Sequence, residues 1–344
     1  MITGKNVLVA EPLTGSEKSI EYLHKAGCQV LVGPHTSQQD KKMTEEDLIK
    51  LGNENDAFIV LSREKLTKKV LENSKRLKII CKSGSGVDNI DIATATKQGI
   101  LVTNAPMNSS AVAEHTIALI LSLYKKIPYN NAYIRAGHWR DDSCSGHDLR
   151  DKTLGLLGFG NIARQVVQRL QGWDLNIIAY DPYVSPDKAA ALGVKLVSFE
   201  EVLKTADIIS IHMLLNDQTR GMINEKAFAM MKKTAIIVNT ARGGVINNAA
   251  LINALNNKSI AGAALDNHET EPIKQDNPIL KCDNVIITPH VAGFSFEALE
   301  RIAMQAAINC LNALNGKKPD FIFNPDVYDR WYEENFGEKG TKSK

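Results

Sequence analysis

Three polar side chains follow three short apolar runs in the second half of the chain. Arg242 follows AIIVN in NTARGG, Glu271 follows GAAL in DNHETEP, and His290 follows VIIT in TPHVAG. Arginine offers a planar fork that takes a carboxylate bidentately, and histidine exchanges a proton near neutral pH. A glutamate beside that histidine would hold its tautomer and favour its charged form. Such a trio suits chemistry at a hydroxyl-bearing carbon next to a carboxylate, with Arg242 binding and polarising the substrate and His290 taking the hydroxyl proton. Each residue also has a structural alternative: a turn with a surface ion pair for Arg-Gly-Gly, a solvated imidazole for Thr-Pro-His, and an ordinary turn for Glu-Pro. In an open α/β sheet, ligands bind beyond the carboxyl ends of the strands, so placement after successive strands favours the chemical reading of all three.

A second group lies upstream. In LGLLGFGNIARQVVQRL, Gly158 and Gly160 stand directly after an apolar run and before a helical pattern, with Ala163 in the third small position. Glycine at 158 allows a tight turn, and glycine at 160 lets the backbone approach a pyrophosphate at a helix N-terminus. A helix-capping glycine turn would look similar. Eighteen residues after Ala163, however, Asp181 ends the next apolar run in AYDPY, where a carboxylate accepts hydrogen bonds from ribose hydroxyls. The same charge repels a 2′-phosphate, so NAD is expected over NADP as cofactor.

Positioning these groups requires an α/β framework. Strands are expected at 153–157, 176–180, 195–197, 207–212, 235–239, 262–265 and 284–287, alternating with helical patterns. Ser198 with Glu201 fits a capping box, and Asn224 fits a helix start before 225–233. The runs at 207–212 and 235–239 do not alternate, so both faces of the sheet are expected to be covered, as in a doubly wound fold. The first hundred residues repeat the rhythm with strands at 6–10, 29–32, 57–61 and 77–81. A helix over 109–126 is expected to join the two parts, and one over 295–315 to cross back to the first.

The chain has 344 residues, 44% hydrophobic and 23% charged, enough for two cored domains. Lys plus Arg is 41 against 39 acidic residues, a net charge of +2 that leaves no broad footprint for nucleic acid or an anionic membrane. A small-molecule partner is expected instead. The five cysteines, Cys28, Cys81, Cys144, Cys282 and Cys310, form no C-x-x-C pair, so neither a zinc site nor a disulfide framework is expected, and a reducing cytoplasm fits. No apolar run has the length of a signal peptide or a membrane helix.

In that order and spacing, KSGSGVDNIDI, NAPMNSSAVAEHTIALIL, LGLLGFGNIARQV, YDPY, VNTARGGVIN, AALDNHETEP and TPHVAGFS closely resemble the D-isomer-specific 2-hydroxyacid dehydrogenases, from about Asn6 to Asn324. That family includes phosphoglycerate dehydrogenases, glyoxylate or hydroxypyruvate reductases, D-lactate dehydrogenases and formate dehydrogenases. The resemblance implies an α/β protein of two doubly wound domains, with a Rossmann domain for NAD (109–292) inserted in a flavodoxin-like substrate domain (1–108 and 293–330). By composition the stretch 331–344 reads as a polar tail, with its last dozen residues expected to be mobile. It implies hydride transfer between nicotinamide and C2 of a D-2-hydroxyacid, with Arg242 binding substrate, His290 as acid/base and Glu271 as its partner. It further implies substrate-carboxylate contacts from backbone groups of Ser85, Gly86 and Val87. Cofactor contacts are implied at Gly158, Gly160, Asn161, Ile162, Asp181, Thr240, Ala241, Asp266, Val291, Ala292 and Gly293.

Departures from the pattern are local. Leu214 stands where the family usually has proline, and Asn267 and His268 replace a usual apolar pair, with His268 expected to be a solvated loop residue. Leu61 stands where phosphoglycerate-specific members carry arginine, leaving Arg63 or Lys82 as the cations that could substitute. Two other functions remain open: an NADH-sensing corepressor-like binding protein on the same fold, and a formate dehydrogenase-like enzyme. The latter usually carries glutamine in place of Glu271. The helix from Ser109 and the segment from Ile127 to Trp139 resemble the arm through which family members pair, so a homodimer is expected.

Overall fold

A computed structural model describes residues 4–337. The chain begins with β1 (Asn6–Val9), α1 (Glu17–Lys25), β2 (Gln29–Val32), α2 (Glu45–Glu54), β3 (Ala57–Val60), α3 (Lys68–Asn73), β4 (Ile79–Lys82), α4 (Ile92–Lys97) and β5 (Leu101–Thr103). There follow α5 (Ser109–Tyr124), α6 (Ile127–Arg135), β6 (Thr153–Leu157), α7 (Asn161–Arg169), β7 (Asn176–Tyr180), α8 (Pro186–Ala190), β8 (Lys195–Leu196), α9 (Phe199–Thr205) and β9 (Ile208–Ile211). The last elements are α10 (Glu225–Met230), β10 (Ile236–Asn239), α11 (Asn248–Asn256), β11 (Gly262–Leu265), β12 (Val285–Ile287), α12 (Phe296–Leu314) and α13 (Tyr328–Phe336). Two compact units result, one of residues 1–108 with 294–344 and one of residues 109–293.

The first unit is a five-stranded sheet in the order β2-β1-β3-β4-β5, parallel throughout. This is the flavodoxin-like doubly wound order. Successive strand residues point to opposite faces. Val7, Val9, Ile59, Ile79 and Cys81 therefore pack on one side with α12 and α13, while Leu8, Phe58, Val60, Ile80 and Val102 fill the other. The strand β5 is not among the expected ones. Its three residues are too short for a pattern, and its order comes from pairing with β4.

The C-terminal expectation needs correction. Residues 331–337 are no polar tail: α13 spans Tyr328–Phe336, and Trp331 is 1% exposed, its indole N–H donating to the Lys78 carbonyl at 2.8 Å. Tyr328, Trp331, Tyr332 and Phe336 recur at three- and four-residue steps and so share one helix face, which charged neighbours disguise in composition. The remaining residues of that expectation, 338–344, lie outside the described ones.

The second unit is a seven-stranded parallel sheet in the order β12-β11-β10-β9-β6-β7-β8. Chain order reverses between β6 and β9, the topological switch point of a Rossmann fold. Strands β9, β10 and β11 are buried along their whole length, and separate apolar clusters fill the two faces of the sheet. Asn224 caps α10 by accepting from Lys226 and Ala227 N–H, as expected. At α9 Ser198 accepts from Glu201 N–H, while the Glu201 carboxylate lies 3.9 Å from Lys195, so the expected capping box is carried by the serine. The reciprocal box forms instead at α2, between Thr44 and Asp47.

Candidate active site

All the chemistry-bearing groups of the second unit lie at the carboxyl edge of its sheet. The loop after β6 turns at Gly158 with φ +91°, and a Cβ there would sit 2.8 Å from the carbonyl carbon of His212, just past β9. Only glycine allows the two strand ends at the switch point to approach so closely. At Gly160, the N-cap of α7, a Cβ would meet nothing within 4 Å, so the backbone there is open to a ligand. Asn161 donates to Ser109 Oγ at 3.0 Å, and Ile162 packs beside the apolar cluster of that face. Burial pushes the His212 imidazole down to about 4, so this histidine is neutral beside the glycine loop at physiological pH.

Asp181, at the end of β7, reaches back to the same loop. Its Oδ2 accepts from Phe159 N–H and its Oδ1 from Tyr183 N–H, each at 2.8 Å. Each carboxylate oxygen retains a second lone pair.

After β10 the buried Asn239 shapes the turn that carries Arg242. Its Nδ2 donates to the Arg242 carbonyl at 2.9 Å and its Oδ1 accepts from Ala241 N–H at 3.0 Å. Thr240 Oγ1 lies 2.8 Å from Thr116 Oγ1 of α5, and Arg242 donates from Nη1 to the Ala241 carbonyl at 2.7 Å. The next residue, Gly243, packs so tightly that an added Cβ would lie 2.1 Å from the His268 carbonyl carbon. The arginine turn and the loop after β11 are therefore immediate neighbours.

That loop and the one after β12 bring His290 and Glu271 together. His290 Nδ1 stands 2.7 Å from Glu271 Oε2, and Glu271 Oε1 accepts from His268 N–H at 2.9 Å. Burial raises the Glu271 carboxyl, but the hydrogen bonds from His290 and His268 outweigh it and hold the group below the usual carboxylate value. His290 adopts φ +55°, left-handed for a non-glycine residue, with its N–H donating to the Asp266 carbonyl at 2.8 Å. Asp266 is fully buried and ties the loop down: Val291 and Ala292 N–H each donate to its carboxylate at 2.9 Å, and Thr288 Oγ1 donates at 2.6 Å. Gly293 closes the unit just beyond.

His268 is not the solvated loop residue expected. Its ring is half-buried, and Nε2 lies 2.9 Å from the Thr288 carbonyl, joining the two loops. Asn267, 3% exposed, places Nδ2 3.0 Å from His290 Nε2. In the sequence Asn267 is only a departure from the family pattern and His268 reads as a solvated loop residue, because their partners lie about twenty positions away on another strand's loop.

Ser85, Gly86 and Val87 lie in the other unit, after β4. Ser85 Oγ donates to Asn108 Oδ1 at 3.1 Å and its carbonyl accepts from Asn104 Nδ2 at 2.7 Å. In the same unit Arg63 cannot serve as a free cation. Its Nε donates to Glu64 Oε1, Nη1 to the carbonyls of His35 and Gln38, and Nη2 to those of Ala10 and Pro34. Lys82 is 5% exposed with its ammonium on the Leu61 carbonyl. Among the described residues no group of three or more His, Cys, Asp or Glu side chains could hold a metal ion, and no helix is long and apolar enough to cross a membrane.

Strand order and the open glycine turn at the switch point make the second unit a Rossmann-type nucleotide-binding fold. Residues 117–292 match the family described as D-isomer specific 2-hydroxyacid dehydrogenase, NAD binding domain. The chain belongs to this family. A D-3-phosphoglycerate dehydrogenase of Archaeoglobus fulgidus is 41% identical over 311 residues, covering 90% of this chain and 57% of the relative. This chain thus spans little more than half the length of that curated relative. Among solved structures, a protein of Thermus thermophilus superposes with TM-score 0.83 at 30% identity, covering 92% of this chain and 99% of its own. A glyoxylate reductase from Paecilomyes thermophila gives TM-score 0.84 at 27% identity, covering 95% and 100%.

Proposed function

We propose that the protein is an NAD-dependent D-2-hydroxyacid dehydrogenase. The observation that carries this reading is the His290–Glu271 pair at 2.7 Å, anchored at the carboxyl edge of a family-typical nucleotide-binding sheet. Bound NAD would supply or accept the hydride at C2 of the substrate. Gly160 and the N-terminus of α7 would hold its pyrophosphate, and Asp181 its ribose hydroxyls, which favours NAD over NADP. Thr240, Ala241, Asp266 and Val291 to Gly293 complete our assignment of the cofactor edge.

In the reducing direction, His290 donates its proton to the carbonyl oxygen as that oxygen becomes a hydroxyl; in oxidation it takes the proton back. Glu271 stays ionised, orients the imidazole through Nδ1 and stabilises its charged form. Arg242 binds the substrate carboxylate and polarises the reacting carbonyl. A formate dehydrogenase would need no such acid/base, and Glu271 favours the hydroxyacid reading over that one.

The substrate we assign is an unphosphorylated 2-keto or 2-hydroxy acid. Leu61 is apolar, Arg63 has all five N–H donors committed, and Lys82 is buried on a carbonyl, so none of the three offers a cation to a phosphate. We further assign pairing of two copies through α6 and the segment after it, where Ile127, Ile134 and Trp139 are 56%, 49% and 75% exposed. A reducing cytoplasm suits the free buried thiols of Cys28, Cys81 and Cys310.

The test follows NADH oxidation with hydroxypyruvate, glyoxylate, pyruvate, branched 2-keto acids and phosphohydroxypyruvate. Turnover of an unphosphorylated acid is expected to exceed that of phosphohydroxypyruvate, and His290→Asn should lower kcat by about 10²-fold or more with NADH binding retained. No turnover of any acid would refute the enzyme reading.

A further inference from the structure

The amide of Asn267 occupies the nitrogen of His290 that must exchange the proton. Glu271 is held as a carboxylate and can only accept, so His290 Nδ1 carries a hydrogen. In the neutral ring Nε2 is then a bare lone pair, and it lies 3.0 Å from Asn267 Nδ2, which has hydrogens to donate. The opposite end of the same amide, Oδ1, is buried without a partner. An amide turned the other way would set its oxygen against the lone pair, so the arrangement is matched to an unprotonated Nε2 and leaves its own acceptor unused to keep that match.

Resting on the acid/base role of His290, we propose that Asn267 is a positioning residue for the proton transfer: its N–H holds Nε2 of His290 in the proton-accepting form until substrate replaces it. Glu271 and Asn267 thus pull in opposite directions, one favouring the charged ring and the other the neutral ring. Other titratable groups on these loops and on the helix beside them are Asp266, whose carboxylate accepts from Thr288, Val291 and Ala292 and lies 3.7 Å from His115 of α5; His268, on the Thr288 carbonyl; and His115 itself, 3.3 Å from Thr288 Oγ1. The ring nitrogens of His290 themselves face Glu271 and Asn267.

The experiment is a pH titration of the ¹⁵N-histidine-labelled full-length protein by NMR, with the ring of residue 290 assigned through His290→Asn. It is paired with the pH profile of kcat/KM for keto-acid reduction, which reports ionisations of the free enzyme. Wild type should show the Nδ1–H tautomer. Asn267→Val, which restores an apolar residue at this buried place, should move the ring's midpoint upward by about half a unit or more, the equivalent of one lost hydrogen bond. Asn267→Asp keeps the shape, adds a charge beside Nε2 and should move it further in the same direction. The upper limb of keto-acid reduction should follow, while NADH affinity stays unchanged. An Nε2–H tautomer in wild type, or midpoints unchanged or lowered in both variants, would overturn the proposal. Absence of turnover with every keto acid would instead sink the dehydrogenase reading, and the NMR titration would still decide the role of Asn267.

Discussion

Asp181 Oδ2 accepts a hydrogen bond from Phe159 N–H at 2.8 Å, so the acidic residue that ends β7 also fastens the glycine loop that follows β6. The carboxylate shapes the turn between Gly158 and Gly160 through one lone pair, and the ribose contact proposed above would use others. The link is a charge-assisted bond across adjacent strands, and such bonds contribute about 1.5–3 kcal/mol.

Removing that carboxylate should loosen the loop and weaken the cofactor together. Asp181→Ala is expected to raise the Kd for NADH about tenfold or more, measured by quenching of protein fluorescence. The discrimination against NADPH should shrink in the same variant, because the charge that repels a 2′-phosphate is gone. Equal NADH affinity in wild type and variant would count against the assigned role.

Glu271→Gln preserves shape and removes charge. The variant should lose about tenfold or more in kcat, and the midpoint of keto-acid reduction should shift to lower pH, because the charged imidazole loses its carboxylate. This is the reverse of the shift expected for Asn267→Val. In the wild type the Glu271 carboxyl is held below its ordinary value of 4.5, so the pair's contribution is complete above that value and is lost as pH falls through the lower folded value. A stability titration by urea should show that loss on the acid side, and Glu271→Gln should remove it.

Gly243→Ala tests the seam between the arginine turn and the loop that carries Glu271. The new methyl would lie 2.1 Å from the His268 carbonyl carbon and 2.4 Å from Glu269 N, both backbone atoms that cannot swing aside. Overpacking of this kind costs about 1–3 kcal/mol. Urea denaturation should show that loss, and kcat should fall as well, since displacing residue 268 breaks its N–H bond to Glu271. Wild-type stability and turnover in the variant would show that the seam yields without disturbing the site.

Local features were legible from residue types alone. A strand, two glycines and a helix within 153–169 are specified by neighbours in sequence, as are the Asn224 cap and the long apolar strands that require cover on both faces. Short elements whose order comes from distant partners were not: β5 exists through pairing with β4, and α13 hides its Trp331 face among charged residues. The arginine at 63 looked available for a substrate phosphate, because nothing in the sequence shows that five acceptors from separate segments enclose it.

Residue types and spacing by themselves thus determined the α/β class, the glycine turn, and which arginine, glutamate and histidine follow successive strands. These depend on periodicity and turn chemistry, which act over a few residues. Only the tertiary structure decided that Glu271 and His290, nineteen positions apart, meet at 2.7 Å, and that Asn267 faces the ring's other nitrogen. Hydrogen bonds need partners within about 3 Å, and it is the parallel pairing of β11 with β12 that carries those two loops side by side.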